Sequence, residues 1–196
     1  MRGFNYKKSV QALNILAFKN GGVINKMKAI KLIWLSDRLH LRKFGRTITG
    51  DDYYALPNGP VPSATRDILE SSNFLDDVAS DYAKEYITEI DKYNYTSVIK
   101  ANTKVFSSTD IEIINQIFDH FGKDDHFDLS NFSHLFPEWK RHESALAKKL
   151  SSRYHINQLD FFININEKSG LFADSSDSLD IAKQIFEEHQ LLQNTL

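Results

Sequence analysis

Apolar residues recur at helical spacing in the first part of the chain. Those of "NYKKSVQALNILAFKN" share one face and predict a first helix of about four turns, which the Gly21-Gly22 pair would end. The next segment, "NKMKAIKLIWLSDRLHLRKFG", has Asn25 as an N-cap and Gly45 where a C-terminal glycine belongs. The apolar residues of the first face are Val10, Leu13, Leu16 and Ala17.

The predicted second helix, drawn at about 100° per residue, separates into an apolar arc and a basic stripe. The arc consists of Met27, Ile30, Ile33, Trp34, Leu41 and Phe44. The stripe consists of Lys28, Lys31, Arg38 and Arg42. Asp37 lies in the middle of the arc, where an unpaired carboxylate would be costly. We therefore expect Asp37 to be a buried anchor that accepts hydrogen bonds, either from a proline corner or from the helix that starts at Ser63.

This proline corner is the stretch "ALPNGPVPS", residues 55–63, which holds three of the four prolines of the chain. Proline fixes the backbone and removes a donor, and Asn58-Gly59 can supply a left-handed bend, so we expect a rigid corner. Just before it, "RTITGDDYYAL" predicts a β-hairpin with arms at 47–49 and 53–55 and a bend at Gly50-Asp51.

The rest of the chain predicts one more hairpin and several helices. Ser63 would cap a short helix through Leu69, and "EYITEI" and "YNYTSVIKA" would pair across Asp91-Lys92. "SSTDIEIINQIFDHFG" predicts a helix that starts at Ser107 or Ser108 and ends at Gly122. Later elements are a short helix from about Asp128, a break at Pro137, a helix to about Leu150 and a final amphipathic helix. The fold class is α+β, predominantly α-helical, with one or two small wing-like β-hairpins.

Charge is distributed unevenly over the 196 residues. Residues 1–46 carry eleven bases and one acid, a balance of +10, whereas the formal net charge of the whole chain is −2. We divide the chain into a domain at 1–150 and an acidic, partly helical C-terminal extension at 151–196. The extension either packs on its own domain or covers an electropositive site on a partner.

Composition and motifs narrow the class of function. The chain has no cysteine, which excludes disulfides, thiolate catalysis and cysteine zinc sites. It has no apolar run of about 18 residues, and "MRGFNYKKSV" lacks the apolar region of a secretory signal, so we expect a cytoplasmic protein with no membrane partner. "DHFGKDDHFD" matches no metal template, and no phosphate loop or nucleophile elbow occurs. We expect no metal, no cofactor and no catalytic residue.

The stretch "KLIWLSDRLHLRKFGRTITGDDYYALPNGPVPS" closely resembles the signature of the Panacea domain, also called the SocA-like antitoxin domain. The resemblance continues through "SSTDIEIINQIFDHFG" and "LSNFSHLFPEW" and covers about Tyr6 to Glu143. Trp34 stands where the family usually has tyrosine. The motif residues are Asp37, Arg38, His40, Gly45, Gly50, Asp51, Tyr54, Asn58, Gly59, Pro60, Pro62, His134, Pro137 and Trp139.

This resemblance implies binding and not catalysis: an antitoxin of a bacterial or phage toxin-antitoxin pair that neutralises its cognate toxin by direct contact. For some members it also implies delivery of the toxin to a protease or its unfoldase. We assign toxin binding to Lys31, Arg38, Arg42, Tyr53, Tyr54 and Asn58. We assign a structural role to Asp37, His40, Gly45, Gly59, Pro60, Pro62, His134 and Trp139, and we expect His134 to pack beside Trp139.

The alternative is a DNA-binding or phage regulatory protein. A basic stripe on a helix that is followed by a hairpin wing is also typical of winged-helix proteins, in which lysine and arginine contact phosphates. A solvated face, or one that docks on the acidic extension, would explain the same stripe.

Overall fold

The second helix, α2 (Lys26–Phe44), is the central element of the fold. A computed structural model describes residues 3–195; residues 1, 2 and 196, which the predicted domain limits include, lie outside the described residues. Every residue of α2 from 29 to 42 is buried. It packs against α1 (Tyr6–Lys19), α5 (Ser108–Phe121), α6 (His126–Ser133) and α9 (Ser176–Thr195). Because the helix is covered on all sides, each of its polar residues needs an internal partner.

The predicted ends of the long helices are confirmed. The Asn25 side chain accepts hydrogen bonds from the Met27 and Lys28 amides, at 3.0 and 3.2 Å. Gly45 ends α2 in the left-handed conformation, with φ of 66°, and its N–H donates to the Leu41 carbonyl. Ser107 starts α5 with a reciprocal capping box to Asp110.

Two three-stranded antiparallel sheets flank the helices. In the first, β5 (Asn94–Ser97) lies between β1 (Val23–Asn25) and β4 (Ile87–Glu89), so the hairpin predicted around Asp91-Lys92 is confirmed. In the second, β2 (Tyr53–Leu56) lies between β3 (Gly59–Pro62) and β6 (Tyr154–His155). The predicted fold class, α+β and predominantly helical, is therefore confirmed.

The first predicted hairpin is misplaced by one segment. Its true arms are β2 and β3, paired from Tyr53↔Pro62 to Leu56↔Gly59, so the proline corner is itself the second arm. The prolines are tolerated because β3 is an edge strand, where a missing backbone donor breaks no ladder. Residues 47–49 form no strand because the Ile48 and Thr49 amides donate to the Asp37 carboxylate.

Other helices differ in detail from the sequence prediction. The short helix α3 (Ser63–Leu69) has Pro62 at its cap position, and Ser63 makes no side-chain cap hydrogen bond. α4 (Asp77–Tyr86) lies in a stretch that no pattern assigned. The helix predicted to reach about Leu150 is replaced by two short ones, α7 (Pro137–Lys140) and α8 (Glu143–Ala147).

The C-terminal segment packs on the body of the protein. A 3-10 turn at Gln158–Phe162 and helix α9 contribute Phe161, Leu179 and Phe186 to the same hydrophobic core as α2. Strand β6 adds to the edge of β2. Of the two roles open for this segment, the structure shows packing on its own domain. Within residues 3–195, no helix combines the length and the apolar content that crossing a bilayer would require.

Two features restrict position 45 to glycine. Its backbone is in the left-handed conformation, and helix α9 packs closely against it. A Cβ built on it would lie 2.6 Å from the Ile185 side chain and 2.7 Å from the Ala182 carbonyl. Gly170 has nearly the same φ, 68°, but open space around its Cβ position. The two glycines therefore separate backbone strain from helix packing.

We expect Gly45→Ala to lower the free energy of unfolding by about 2–5 kcal/mol, through backbone strain and overpacking together. Gly170→Ala should cost about 1–2 kcal/mol, through backbone strain alone. Urea denaturation of both variants measures the difference. Equal costs would contradict the close packing of α9 on α2.

Candidate functional site: a hairpin tip held by three helices

Asp37 is buried and saturated with hydrogen bonds, as its place in the apolar arc predicts. One carboxylate oxygen accepts from the Ile48 and Thr49 amides, at 2.7 and 2.9 Å. The other accepts from the hydroxyl groups of Thr49 and Tyr53. Burial raises the pKa of Asp37, and these hydrogen bonds oppose the rise. The expected partners were wrong: the donors come from the loop after α2 and from β2, not from the proline corner or α3.

The carboxylate that caps α3 is that of Asp51. It accepts from the Ala64 and Thr65 amides, at 2.8 and 2.7 Å, and from the Thr65 hydroxyl. Burial raises the pKa of Asp51 to about 6, although the hydrogen bonds oppose this. No local sequence pattern predicts this role, because Asp51 precedes the helix by more than ten residues and cap patterns involve only neighbouring positions.

The turn of the β2–β3 hairpin, Leu56–Pro60, which we call the hairpin tip, is held from three helices. Trp139 of α7 donates its indole N–H to the Leu56 carbonyl, at 2.7 Å. Ser130 of α6 donates its hydroxyl to the Asn58 carbonyl, at 2.9 Å. The Lys31 ammonium of α2 donates to the Pro60 carbonyl, at 2.8 Å. Three backbone acceptors of the tip are thereby held by three separate side chains.

Gly59 lets these helices approach the tip closely. Its φ is +99°, and a Cβ on it would lie 2.1 Å from the Ser133 hydroxyl and 2.7 Å from the Lys31 ammonium nitrogen. Neither space nor backbone conformation allows another residue there. The structural role predicted for Gly59 and Pro60 follows from this contact and from the hydrogen bond to Lys31.

Lys31 is 1% exposed and has no counter-ion among the described residues. Among residues 3–195, no carboxylate lies within 4 Å of its ammonium nitrogen. Burial therefore lowers the pKa of Lys31 to about 7.

Three of the four residues of the predicted basic stripe, Lys31, Arg38 and Arg42, are buried. Arg38 is buried, donates to Glu138 at 2.8 Å and to the Ile163 carbonyl at 2.9 Å, and lies 4.5 Å above the Phe136 ring. Arg42 is buried too, and five groups of the C-terminal segment accept its hydrogen bonds. These are the carbonyls of Phe161, Ile163 and Phe172 and the side chains of Asn164 and Asp174. Burial, and next the charge of Arg38, lower the pKa of Arg42 to about 10.

For Arg38 and Arg42, the alternative in which the stripe docks on the C-terminal extension is confirmed. The exposure that toxin binding by these residues requires was wrong, because a helical wheel shows which residues share a face but not what packs over it. The C-terminal segment lies over Arg38 and Arg42, and the hairpin tip lies over Lys31. Tyr53 is buried as well, with its hydroxyl on Asp37. Of the six residues assigned to toxin binding, only Tyr54 and Asn58 reach the surface.

Two histidines of the motif, His40 and His134, also contact groups inside the protein. His40 contacts the Arg46 carbonyl through Nδ1, at 2.8 Å, and Asp110 through Nε2, at 3.1 Å. Burial would raise the pKa of Asp110, but hydrogen bonds from His40 and Lys8 hold it far below its usual range. The ring of His134 stacks on Trp139 with centroids 3.7 Å apart, as predicted.

An open groove lies beside the hairpin tip, and we call it the tip groove. It encloses about 860 Å³ between the first turns of α2, the tip, the β4–β5 turn and the start of α6. Among the described residues, no group of three or more histidine, aspartate or glutamate side chains is arranged to hold a metal ion. In "DHFGKDDHFD", Asp125 instead caps α6 by accepting from the Phe127 and Asp128 amides.

Comparison with known proteins places the chain in a family. The family model described as antitoxin SocA-like, Panacea domain, matches residues 30–140, which is more than half of the chain. The chain therefore belongs to the SocA-like Panacea antitoxin family. No curated protein and no solved structure matches it. The matched range contains α2 from residue 30 onward, both carboxylate anchors and the whole hairpin tip.

Removal of the Asp37 carboxylate should be costly, because four buried donors would lose their acceptor. We expect Asp37→Ala to lower the free energy of unfolding by about 3–5 kcal/mol. Tyr53→Phe, which removes one of the four hydrogen bonds, should cost about 1–2 kcal/mol. The matched control, Asp52→Ala at an exposed neighbouring position, should stay within about 0.5 kcal/mol of the wild type in urea denaturation. A cost for Asp37→Ala no larger than that of the control would contradict its anchoring role.

Lys31 should make stability rise with pH. Its pKa is about 7 in the folded protein and 10.5 ordinarily, so between these values the unfolded chain binds a proton that the folded protein does not. The contribution has a slope of up to about 1.4 kcal/mol per pH unit. We expect the free energy of unfolding of wild type minus that of Lys31→Met to increase from pH 7 to pH 9.5 or so, as measured by urea denaturation.

Lys43→Met controls for removal of an exposed lysine from the same helix. A difference between wild type and Lys31→Met that does not change with pH would mean that Lys31 is not desolvated.

Proposed function

We propose that this protein is an antitoxin that neutralises a cognate toxin by direct protein-protein contact. Membership of the SocA-like Panacea family supports an antitoxin role. The observation that carries the contact mechanism is the hairpin tip, whose carbonyls are fixed by Lys31, Ser130 and Trp139. A surface that is ordered before binding loses little conformational entropy on binding, which favours a stable complex.

The charged motif residues support a binding role over a catalytic one. Asp37, Arg38 and Asp51 are buried and form hydrogen bonds with other groups of the protein. Groups that act on a substrate must instead be within reach of it. We infer that these residues build the scaffold and that the protein is not an enzyme.

The contact surface we propose is the exposed part of the tip and its strand, with Asn58 and Tyr54 as its first members. The Asn58 side chain is exposed, while its backbone carbonyl is held by Ser130. Tyr54 is half-buried, with its ring edge-on to His155 at 5.3 Å and Arg153 over its face at 4.8 Å. A rigid aromatic side chain next to a polar tip suits a protein interface.

The DNA-binding alternative depended on an exposed basic stripe along α2, and most of this stripe is not exposed. Three of the four side chains of the basic stripe, those of Lys31, Arg38 and Arg42, are buried and hydrogen-bonded within the chain. Buried cations cannot release counterions from phosphates. We therefore do not propose DNA binding.

The test is neutralisation in bacteria that express the product of each gene next to this one, with and without this protein. We expect one neighbour to arrest growth alone, and we expect co-expression to restore growth and to give a complex on purification. Asn58→Arg should weaken the complex at least tenfold because it adds bulk and charge to the tip, whereas Gln184→Arg on the exposed side of α9 should change affinity less than twofold.

Absence of a toxic neighbour that this protein neutralises would contradict the proposed function. The half-life of the toxin in the rescued cells adds a second readout. A short half-life that depends on a cellular protease would support the adaptor role, and an unchanged half-life would leave neutralisation to binding alone.

A further inference from the structure

The tip groove combines an apolar lining with exposed aromatic edges. Ile30 of α2 and Val61 of β3 line it and are almost fully buried. Tyr93 of the β4–β5 turn and Phe127 of α6 also line it, and they are 61% and 64% exposed. Large aromatic side chains left in water beside an apolar lining mark a surface that gains free energy when a partner covers it.

The charge of the groove is positive. Four basic side chains line it, Lys26, Lys31, Arg66 and Lys92, against one carboxylate, that of Glu70. Lys26 pairs with Glu89 at 3.1 Å and Arg66 with Glu70 at 2.8 Å, so these two are compensated. Within the described part of the chain, Lys31 and Lys92 have no carboxylate within 4 Å.

The nearest acid in sequence, Asp91, forms no ion pair with Lys92 within 4 Å. Its carboxylate accepts hydrogen bonds from the Tyr93 and Asn94 amides and from the Asn94 side chain, and so closes its own turn. Lys92 instead extends over the Tyr93 ring, 5.4 Å from the centroid. The groove therefore has one exposed cation without an ion-pair partner, Lys92, beside an exposed aromatic ring.

We propose that the tip groove is the docking site of the toxin, and that the docked toxin segment carries a carboxylate next to an apolar side chain. The inference rests on the proposed function and specifies where the toxin sits and which chemistry it presents. The apolar side chain covers Ile30 and Val61 between the two aromatic edges, and the carboxylate lies by Lys92. An acidic apolar segment is the occupant that matches both properties of the groove, whereas a basic or purely polar segment matches neither.

The structure also explains why this groove can recognise a segment without reshaping itself. One wall is the hairpin tip, which three helices hold in place. The other walls are the capped first turn of α2 and the first turn of α6, which Asp125 caps. Only the side chains on the edges need to adjust when a partner enters.

A crosslinking experiment tests the location. A photoreactive phenylalanine analogue replaces Phe127 in one variant and Phe18 in the other; Phe18 is 70% exposed and lies outside the groove. Each variant is irradiated with the neutralised toxin from the neighbouring gene, and mass spectrometry identifies the attached toxin peptide. We expect attachment from position 127 and not from position 18, to a segment with an aspartate or glutamate within three or so residues of an apolar side chain.

Affinity measurements test the chemistry. We expect Phe127→Ala and Lys92→Glu each to weaken toxin binding at least tenfold, and Lys43→Glu, an exposed change on α2 outside the groove, to change it less than twofold. Replacing the identified toxin carboxylate by its amide should weaken binding to the wild type and should remove most of the further effect of Lys92→Glu. Independent effects of these two changes would overturn the pairing.

The outcomes separate this inference from the proposed function. A toxin that is neutralised and co-purifies, but crosslinks only from position 18 or through a basic segment, overturns the tip groove and leaves the antitoxin role standing. A crosslink from position 127 to a second copy of this chain, with none to the toxin, overturns it as well. Failure of the neighbouring toxin to be neutralised at all overturns the proposed function itself.

Discussion

The hydrogen bonds to the buried Asp37 carboxylate are the interaction on which the rest of the structure depends. They tie the central helix α2 to the loop that follows it and to the first strand of the hairpin. A carboxylate without partners could not stay in an apolar interior, so the loop must close over it for the helix to be buried. The path of the chain from α2 to the hairpin is thereby fixed, and the hairpin tip comes to lie within reach of Lys31.

Because α2 is buried from residue 29 to residue 42, its two arginines need hydrogen-bond acceptors from the protein itself in place of water. The C-terminal segment provides them, with backbone carbonyls and one carboxylate around Arg42 and a carbonyl on Arg38. At least one acidic residue of that segment, Asp174, forms an ion pair with Arg42 of the same chain. Its charge is therefore used within the protein and not for contact with a toxin. We propose that a partner binds at the hairpin tip and the groove beside it.

Local signals in the sequence predicted the ends of the long helices, because Asn25, Gly45 and Ser107 cap them through atoms only a few residues away. The burial of Asp37 followed from its position in the apolar arc. Its donors, the role of Asp51 and the covering of Arg38 and Arg42 could not be predicted, because they join residues far apart in sequence. The family resemblance identified the right motif, but the site depends on contacts of that motif with Ser130, Glu138 and Trp139, which come later in the sequence. No local pattern predicted the contacts of Ser130 and Glu138.

The central claim is that the loop and the hairpin tip are rigid in the free protein because Asp37 and the three helices hold them. Hydrogen-deuterium exchange of the free protein tests this most directly. The account predicts that the Ile48 and Thr49 amides exchange as slowly as amides in the middle of α2, and that both exchange faster by the same large factor in Asp37→Asn. Exchange of these two amides at the rate of an exposed loop in the wild type would contradict it.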